Sequence, residues 1–400
     1  MNLESLTNMS KLAHIIVGVG FGDEGKGLVT DFFCTHSRNP IVIRFNGGQQ
    51  AGHTVFLKTG KKHIFSNFGS GTLRGISTYW TKYCTFCPGF FLEELKLLKN
   101  VPTFFLDSSC PVTTHYDILY NRIVETFRGN KKHGSCGLGF GATLTRHKEL
   151  SVKLTTADLM NQEICIKKLV TIREYYKRKI QHETNFLFSA FNHDREDIEF
   201  VKCIIDFNTL VSKGNVIFAN ENDIFGVKAK WKTYIFEGAQ GILLDVNFGQ
   251  QPYVTKSSTT SKNALTILKR NFSSDSIEIN VVYVTRAYST RHGEGPFRAA
   301  NPPLKLKNTS HETNVLNEYQ GKFRIGYLNI DLINYAIKCD QKYSKKLPKH
   351  LFITCLDQIT HTKIPVYIHN RKHRIPYNRI HTFIDCNFES IYYSFNKIVL

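Results

Sequence analysis

Apolar residues fall along this chain in short runs, with helical patterns between them. Six runs have the length and composition of buried strands: AHIIVGV at 13–19, IVIRF at 41–45, TFFLD at 103–107, TYIFE at 233–237, INVVYV at 279–284 and HLFITCL at 350–356. None alternates strictly between apolar and polar, which is the pattern of a strand covered on both faces. PGFFLEELKLLKN (88–100), THYDILYNRIVETFR (114–128), KNALTILKRNF (262–272) and LNIDLINYAIKC (328–339) carry apolar residues three and four apart and predict helices. The alternation predicts an α/β fold: a mainly parallel central sheet covered by helices on both faces, with small β excursions. Residues 157–212 are helical in pattern and highly charged, and predict a helical excursion from that sheet. No fixed-period repeat or low-complexity linker divides the chain, so residues 1–400 are expected to form a single large domain.

The composition is that of a globular protein, and no apolar stretch approaches the ~20 residues of a membrane span. The N-terminal MNLESLTNMSKLAH lacks the basic start and apolar centre of a signal peptide, so the expected location is the cytoplasm. Ten cysteines are scattered singly except for Cys84 and Cys87 in CTFC. With no second pair to complete a zinc site, they are expected to be reduced and mostly buried. A net charge of +19 suits polyanionic ligands, whether nucleotides or nucleic acid. The lysine excess is spread along the whole chain with Asn, Ile, Tyr and Phe, so compositional drift accounts for much of it. The basic HNRKHRIPYNRIHTF at 369–383 is expected to be a solvated strand and loop rather than a nucleic-acid surface.

The densest chemistry follows the first strand, in GVGFGDEGKG at 18–27. From Gly20 it fits a phosphate-loop pattern as far as Gly25 and Lys26, but Gly27 stands where a Ser or Thr is usual. Glycines let backbone N–H groups approach phosphates, Lys26 adds a point charge, and the helix beyond adds its dipole. The missing hydroxyl leaves Mg²⁺ without its usual protein oxygen, and Asp23 inside the loop is the carboxylate able to replace it. The Glu24 side chain reads as a solvated or helix-N-terminal charge.

RFNGGQQAGHT at 44–54 follows the second strand, where ligands of parallel sheets sit. Its glycines permit close backbone approach, and His53 could donate to a phosphate oxygen as charge develops. In FEGAQGILLDVNFGQQPYVTKSSTT at 236–260, Gln240 and Thr255 offer neutral hydrogen-bonding groups suited to a base edge or a phosphate.

Together, GFGDEGKG, GGQQAGHT, FEGAQGILLDVNFGQQPYVT and AYSTRHGEGPF, with the looser GKFRIGYLNIDL and LFITCLD, resemble the adenylosuccinate synthetase family. The resemblance runs in order from about residue 13 to 358 and leaves 359–400 divergent. It implies a cytoplasmic, homodimeric ligase that joins L-aspartate to IMP at the expense of GTP with Mg²⁺, without membrane or nucleic-acid partners. By that resemblance Asp23, His53 and Lys26 are catalytic, and Asp23 and the Gly52 carbonyl hold the metal. GTP would be bound by Gly22, Asp23, Glu24, Gly25, Lys26, Gly27, Gly52, His53 and Thr54, with Asp357 reading its base. IMP would meet Asp23, Lys26, Gln50, Ala51, Cys136, Gln240 and Thr255, and Arg146 is the candidate for an arginine reaching across a dimer interface to its phosphate. Arg291 lies in a motif near the active site, and Lys322 and Arg324 fall where the family grips the aspartate carboxylates.

The chain also departs from the family. Gln50 replaces an Asn, Cys136 a phosphate-binding Thr, and Cys355 a Lys in the base-reading segment. The aspartate loop is shorter, with one Lys and one Arg in place of a run of arginines, and the C-terminal STGPDR has no counterpart. Two alternatives accompany the main reading: a phage-type relative joining aspartate to dGMP, and a non-catalytic paralogue holding nucleotides or nucleic acid. Retention of Asp23 favours IMP over dGMP, and joint retention of Asp23, Lys26, His53 and Gln240 favours an enzyme.

Overall fold

The computed structural model describes residues 11–309, 312 and 319–396; the outermost residues of the expected 1–400 domain and most of the N-terminal stretch lie outside them. In chain order the first half comprises β1 (Lys11–Gly18), α1 (Lys26–His36), β2 (Pro40–Arg44), the hairpin β3 (His53–Phe56) and β4 (Lys62–Phe65), β5 (Thr78–Trp80), α2 (Pro88–Leu97) and β6 (Phe104–Leu106). Four helices follow: α3 (His115–Arg128), α4 (Phe140–Glu149), α5 (Gln162–Glu183) and α6 (His193–Ser212). Then come β7 (Val216–Phe218), α7 (Glu221–Phe225), β8 (Thr233–Gly241), α8 (Lys262–Asn271), β9 (Ile277–Arg286), β10 (Ser289–His292) and β11 (Phe323–Gly326). The chain closes with β12 (Leu328–Asn329), α9 (Ile330–Ser344), β13 (Lys349–Thr354), β14 (Lys363–Ile368), β15 (Arg371–Pro376) and β16 (Ser390–Tyr393).

Nine strands form one sheet in the order β16-β13-β9-β1-β8-β2-β5-β6-β7, every neighbouring pair parallel. The six apolar runs singled out in the sequence are β1, β2, β6, β8, β9 and β13 of this sheet, and the fold class is the α/β one they predict. Successive residues of a strand point to opposite faces, and both faces are covered. Ala13, Ile15 and Val17 pack with α8 and α9 through Leu265, Leu268, Ile333 and Ile337. Ile16 packs the other way, with Val29 and Phe33 of α1 and Phe352 of β13. The outer strands β5 to β7 carry a second core under α2, α3, α5 and α6. The long helices α5 and α6 touch each other and fill most of 157–212, each started by an asparagine side chain accepting an amide, Asn161 from Ile164 and Asn192 from Arg195.

The basic segment at 369–383 is a hairpin turn, the exposed strand β15 and a short helical turn. His369 and Asn370 take the turn with φ of 49° and 60°, and the Asp331 carboxylate accepts their amides at 2.8 and 2.9 Å. Cys84 and Cys87 are buried free thiols, and burial pushes both up to about 12, which makes CTFC a piece of core.

The last residues of the central strands gather the polar side chains. Gly18 faces Gly241, Arg44 faces Glu237, and Arg286 faces Thr354 across neighbouring strands. Carboxyl ends of parallel strands are where such sheets leave a crevice for ligands.

Candidate active site

The phosphate-like loop turns through Gly22, Asp23 and Gly25 with φ of 99°, 63° and 92° before α1 begins at Lys26. No side chain caps α1, and its first backbone bond runs from Val29 to the Gly25 carbonyl, so the amides of residues 26–28 face outward without a helical partner. That arrangement, with the helix dipole behind it, suits an anion.

Glu24 is not the solvated charge expected from sequence: it is 3% exposed. Its Oε1 accepts the amides of Gly20 at 3.0 Å and Gly22 at 2.8 Å, and its Oε2 accepts the Lys26 ammonium at 2.5 Å. Burial raises its pKa, but Lys26 and the backbone amides outweigh that and hold it below the usual carboxylate range. The turn is shaped to this carboxylate, because a methyl group at Gly18 would meet Oε2 at 2.2 Å and one at Gly241 would meet Oε1 at 2.3 Å. Loop sequence alone suggested exposure; the cause of burial is β8, whose Gly241 closes over the turn.

The structure also supplies a steric reason for Gly27. A Cβ there would sit 2.9 Å from the His53 Cβ and 3.1 Å from the Ser70 hydroxyl. The space a Ser or Thr would use is thus taken by the histidine. Gly27→Ser, although it completes the usual phosphate-loop pattern, is expected to cost about 1–3 kcal/mol of stability by overpacking and to lower turnover by displacing His53. Thermal denaturation and steady-state rates check this; a variant as stable and active as the parent would show that the space is available.

His53, 8% exposed at the start of β3, donates through Nδ1 to Glu237 Oε1 at 2.6 Å. Glu237, midway along β8, is fully buried and also accepts the Ser70 amide at 3.1 Å and the Ser70 hydroxyl. Burial would raise its pKa, but His53, Arg44 and Ser70 hold it down at about 2. Burial, helped by Arg44 and Lys26, lowers the His53 pKa against the pull of Glu237. Arg44 is itself fully buried, 5.2 Å from the centre of the Trp80 ring, with Nε and Nη2 unpartnered.

Asp23 is partly buried, and its backbone carbonyl accepts Arg286 Nε. Burial raises its carboxyl pKa, with Arg286 the main opposing influence. Arg286 also donates to the Tyr288 hydroxyl at 2.9 Å and to Glu312 at 2.8 Å. Glu237, Arg286, Arg44 and Ser70 were not singled out from sequence. A charged residue closing an otherwise apolar strand, as in TYIFE, IVIR and VVYVTR, was the available signal.

Beside this loop lies a second set of groups. Both amide atoms of Gln50, Oε1 of Gln240 and the hydroxyls of Thr255 and Ser257 are buried without a hydrogen-bond partner. Gln240 holds φ at 61°, and its Cα is 3.8 Å from where a Gly22 Cβ would be. Asn46 pins the surrounding loops together, exchanging hydrogen bonds with Ala239 at 2.8 and 3.0 Å and donating to the Ser258 carbonyl at 3.1 Å. Gln49 Nε2 donates to the Leu138 carbonyl at 2.7 Å, which brings the Cys136 loop alongside Gln50 and the buried Ala51. Buried polar groups in folded proteins are normally paired, so orphans clustered at one sheet end mark a ligand site.

Arg291 and Arg324 face each other on the antiparallel pair β10 and β11, while Lys322 is exposed nearby. Like charges directly opposite destabilise a ribbon unless an anion offsets them. Burial and the Arg324 charge bring Arg291 down to about 10. Its donors go to the carbonyls of Glu294 and Pro296, both at 2.9 Å, so it braces the loop, whereas Arg324 is less buried and has one donor on the Gly293 carbonyl. Thr54 is on β3, Gly52 is exposed just before it, and Asp357 sits on a short helical turn after β13.

Arg146 does not fit its expected place. It is fully buried on α4, its Nε and Nη2 2.9 and 3.1 Å from the Asp117 carboxylate and Nη2 2.7 Å from the Val112 carbonyl. Tyr176 of α5 shares Asp117 at 2.7 Å. The arginine is the polar centre of the helical excursion, so it presents nothing to a partner subunit. The arginine lies on the inward face of α4.

The family model described as adenylosuccinate synthetase matches residues 15–382. The adenylosuccinate synthetase of Mesoplasma florum is 29% identical over 363 residues, covering 86% of this chain and 77% of the relative. A fully ligated adenylosuccinate synthetase from Plasmodium falciparum superposes with a TM-score of 0.66 at 22% identity, covering 90% of this chain and 80% of that one. The succinoaminodeoxyadenylate synthetase of cyanophage S-2L, bound to dGMP and dATP, superposes with a TM-score of 0.64 at 14% identity, covering 98% and 94%.

Proposed function

The chain belongs to the adenylosuccinate synthetase family, and from that premise we propose that it couples GTP cleavage to ligation of L-aspartate to IMP through a 6-phosphoryl-IMP intermediate. The observation that carries the reading is the cluster of orphaned buried groups on Gln50, Gln240 and Thr255 beside the Asp23 loop. A purine nucleotide with a base edge and a phosphate supplies the partners they lack.

Asp23 takes the N1 proton of IMP, leaving O6 as an oxyanion that attacks the γ-phosphorus of GTP, and GDP departs. No described residue donates a hydrogen bond to the Asp23 carboxylate, which suits a group that must receive a proton. His53, its Nδ1 committed to Glu237, has Nε2 left for the phosphoryl oxygens. The ionised Glu237 is the counter-charge that lets the ring hold a second proton as negative charge builds. Lys26 and the amides of residues 25–27 hold the phosphates, and Glu24 fixes the ammonium and the turn. The aspartate amine then attacks C6, and phosphate leaves.

The Asp23 carboxylate, to which no described residue donates a hydrogen bond, and the carbonyl of the exposed Gly52 are hard oxygen donors of the kind Mg²⁺ takes, so those two would hold it. When bound, it would offset phosphate charge. Ala51 and Cys136 would line the IMP side, Thr54 and Gly22 the GTP side, and Asp357 the guanine edge. Arg324 and Lys322 would receive the aspartate carboxylates, the repulsion between Arg291 and Arg324 being relieved by the dianion. The same reading carries a cytoplasmic homodimer; no helix among the described residues is long and apolar enough to cross a membrane.

A second reading, ligation to dGMP, is favoured by the extra unpaired donors and acceptors of Gln50 and Ser257, which could serve a 2-amino group. The test is purified chain with aspartate and Mg²⁺, supplied with IMP or dGMP and with GTP or ATP, followed by the ultraviolet change on substitution at the purine C6. Turnover is expected with IMP and GTP. Turnover with dGMP alone would replace the main reading, and turnover with neither would leave a binding protein.

A further inference from the structure

A purine nucleotide brings a phosphate dianion into the site, and the cation expected to meet it, Arg146, is turned inward onto Asp117. The groups around the orphaned Thr255 are otherwise neutral. The Thr255 hydroxyl is 8% exposed and unpartnered, and the Ser257 hydroxyl two residues on is buried and unpartnered as well. Cys136 offers a thiol whose pKa burial raises, so it stays a weak, neutral donor. Behind Cys136, no side chain caps α4, and its first backbone bond runs from Thr143 to the Gly139 carbonyl at 2.9 Å. The amides of residues 140–142 therefore have no helical partner.

Lys256 stands between the two buried hydroxyl residues and is itself exposed. Its stem lies on the first turn of α4: a Cβ added at Gly141 would sit 3.2 Å from Lys256 Cγ and 3.9 Å from its Cβ. That contact joins the Thr255 segment to the open amides of α4, and the missing side chain at Gly141 makes room for it. His133, on the loop that leads to Cys136, feels the Lys256 charge. Burial first, then Arg128, lower its pKa; Glu125 opposes them and Lys256 adds a smaller downward push. Arg122, on the flank of the same loop, is engaged there, its Nε on the Gly137 carbonyl at 3.1 Å and its guanidinium 5.4 Å from the Tyr319 ring centre.

Helix amides and a buried hydroxyl can orient a phosphate, but its charge calls for a cation, and lysine serves phosphates as a mobile point charge. We propose that Lys256 supplies the positive charge that receives the 5′-phosphate of the purine nucleotide, beside the Thr255 hydroxyl and the first amides of α4. That role rests on a purine mononucleotide being the substrate, as proposed, and adds the residue that neutralises its phosphate from within one subunit. Arg146 could not do this without leaving Asp117 unpaired in the core.

Lys256→Gln removes the charge and keeps most of the stem that packs on Gly141, so it separates phosphate binding from loop packing. Calorimetric titration of the full chain with IMP and with inosine reads the share of the phosphate as the ratio of the two affinities. In the variant that ratio is expected to fall at least about tenfold, with inosine affinity within about threefold of the parent. An unchanged ratio overturns the role of Lys256 and leaves IMP as the substrate. Equal losses for IMP and inosine overturn it too, because Lys256 would then only support the loop. If the parent binds dGMP and not IMP, the choice of purine falls instead, and the ratio of dGMP to deoxyguanosine applies the same criterion to Lys256. A parent that binds neither nucleotide overturns both.

Discussion

Asp23→Asn should lower kcat by about 10²–10⁴-fold while GTP affinity stays within about threefold of the parent. The substitution keeps the shape of the side chain and removes its capacity to accept a proton. It also suits the backbone: Asp23 holds φ at 63°, a region that asparagine tolerates better than most residues. The loop around it is fastened independently of the carboxylate, by Glu24 on the Gly20 and Gly22 amides and by Thr354 on the Glu24 carbonyl at 2.6 Å. A loss of turnover therefore reports chemistry rather than a collapsed loop. Because burial raises the Asp23 pKa, the acid limb of kcat/KM should fall above the ordinary carboxylate range, where the base is already partly protonated. Fluorescence titration with a GTP analogue and steady-state rates separate the two effects. Near-normal turnover in the variant would remove Asp23 from the role of base.

The sequence carried the skeleton of this site because its signals are local. Glycines before a lysine, following an apolar run, announce a strand, a turn and a helix, and β1, the loop and α1 are those elements. The three sheet strands that escaped notice, β5, β7 and β16, are only three or four residues long. What could not be read is whatever depends on a neighbour far along the chain. Glu24 is buried by Gly241, Gly27 is required by His53, and His53 is held by Glu237, 184 residues away. Arg146 misled for the same reason: its partner, Asp117, lies on another helix, and only the packing of α3, α4 and α5 shows that the pair is internal. The residues picked out by motif thus lie where the strand ends meet, and the groups that set their charge come from elements the motifs do not include.

Glu237 is the strongest case. Glu237→Gln should destabilise the protein by about 3–5 kcal/mol and reduce turnover by at least about tenfold. One carboxylate here answers three donors, His53 Nδ1, the Ser70 amide and the Ser70 hydroxyl, and an amide has only one oxygen to meet them. Its NH₂ would then face another donor. The substitution also strips the counter-charge from Arg44, which is directly across the strand pair, wholly buried, and short of partners for two of its three nitrogens. A buried charge left alone is the costly half of breaking such a pair. The pH dependence gives the prediction a second readout. The Glu237 pKa is depressed on folding from 4.5 to about 2, so its contribution is full above pH 4.5 and disappears as pH falls toward 2. The stability difference between parent and variant, measured by denaturant unfolding, should therefore narrow across that interval and stay constant above it. A constant difference down to pH 2 would mean that Glu237 is not ionised in the fold, and His53 would then lack the counter-charge on which its part in phosphoryl transfer rests.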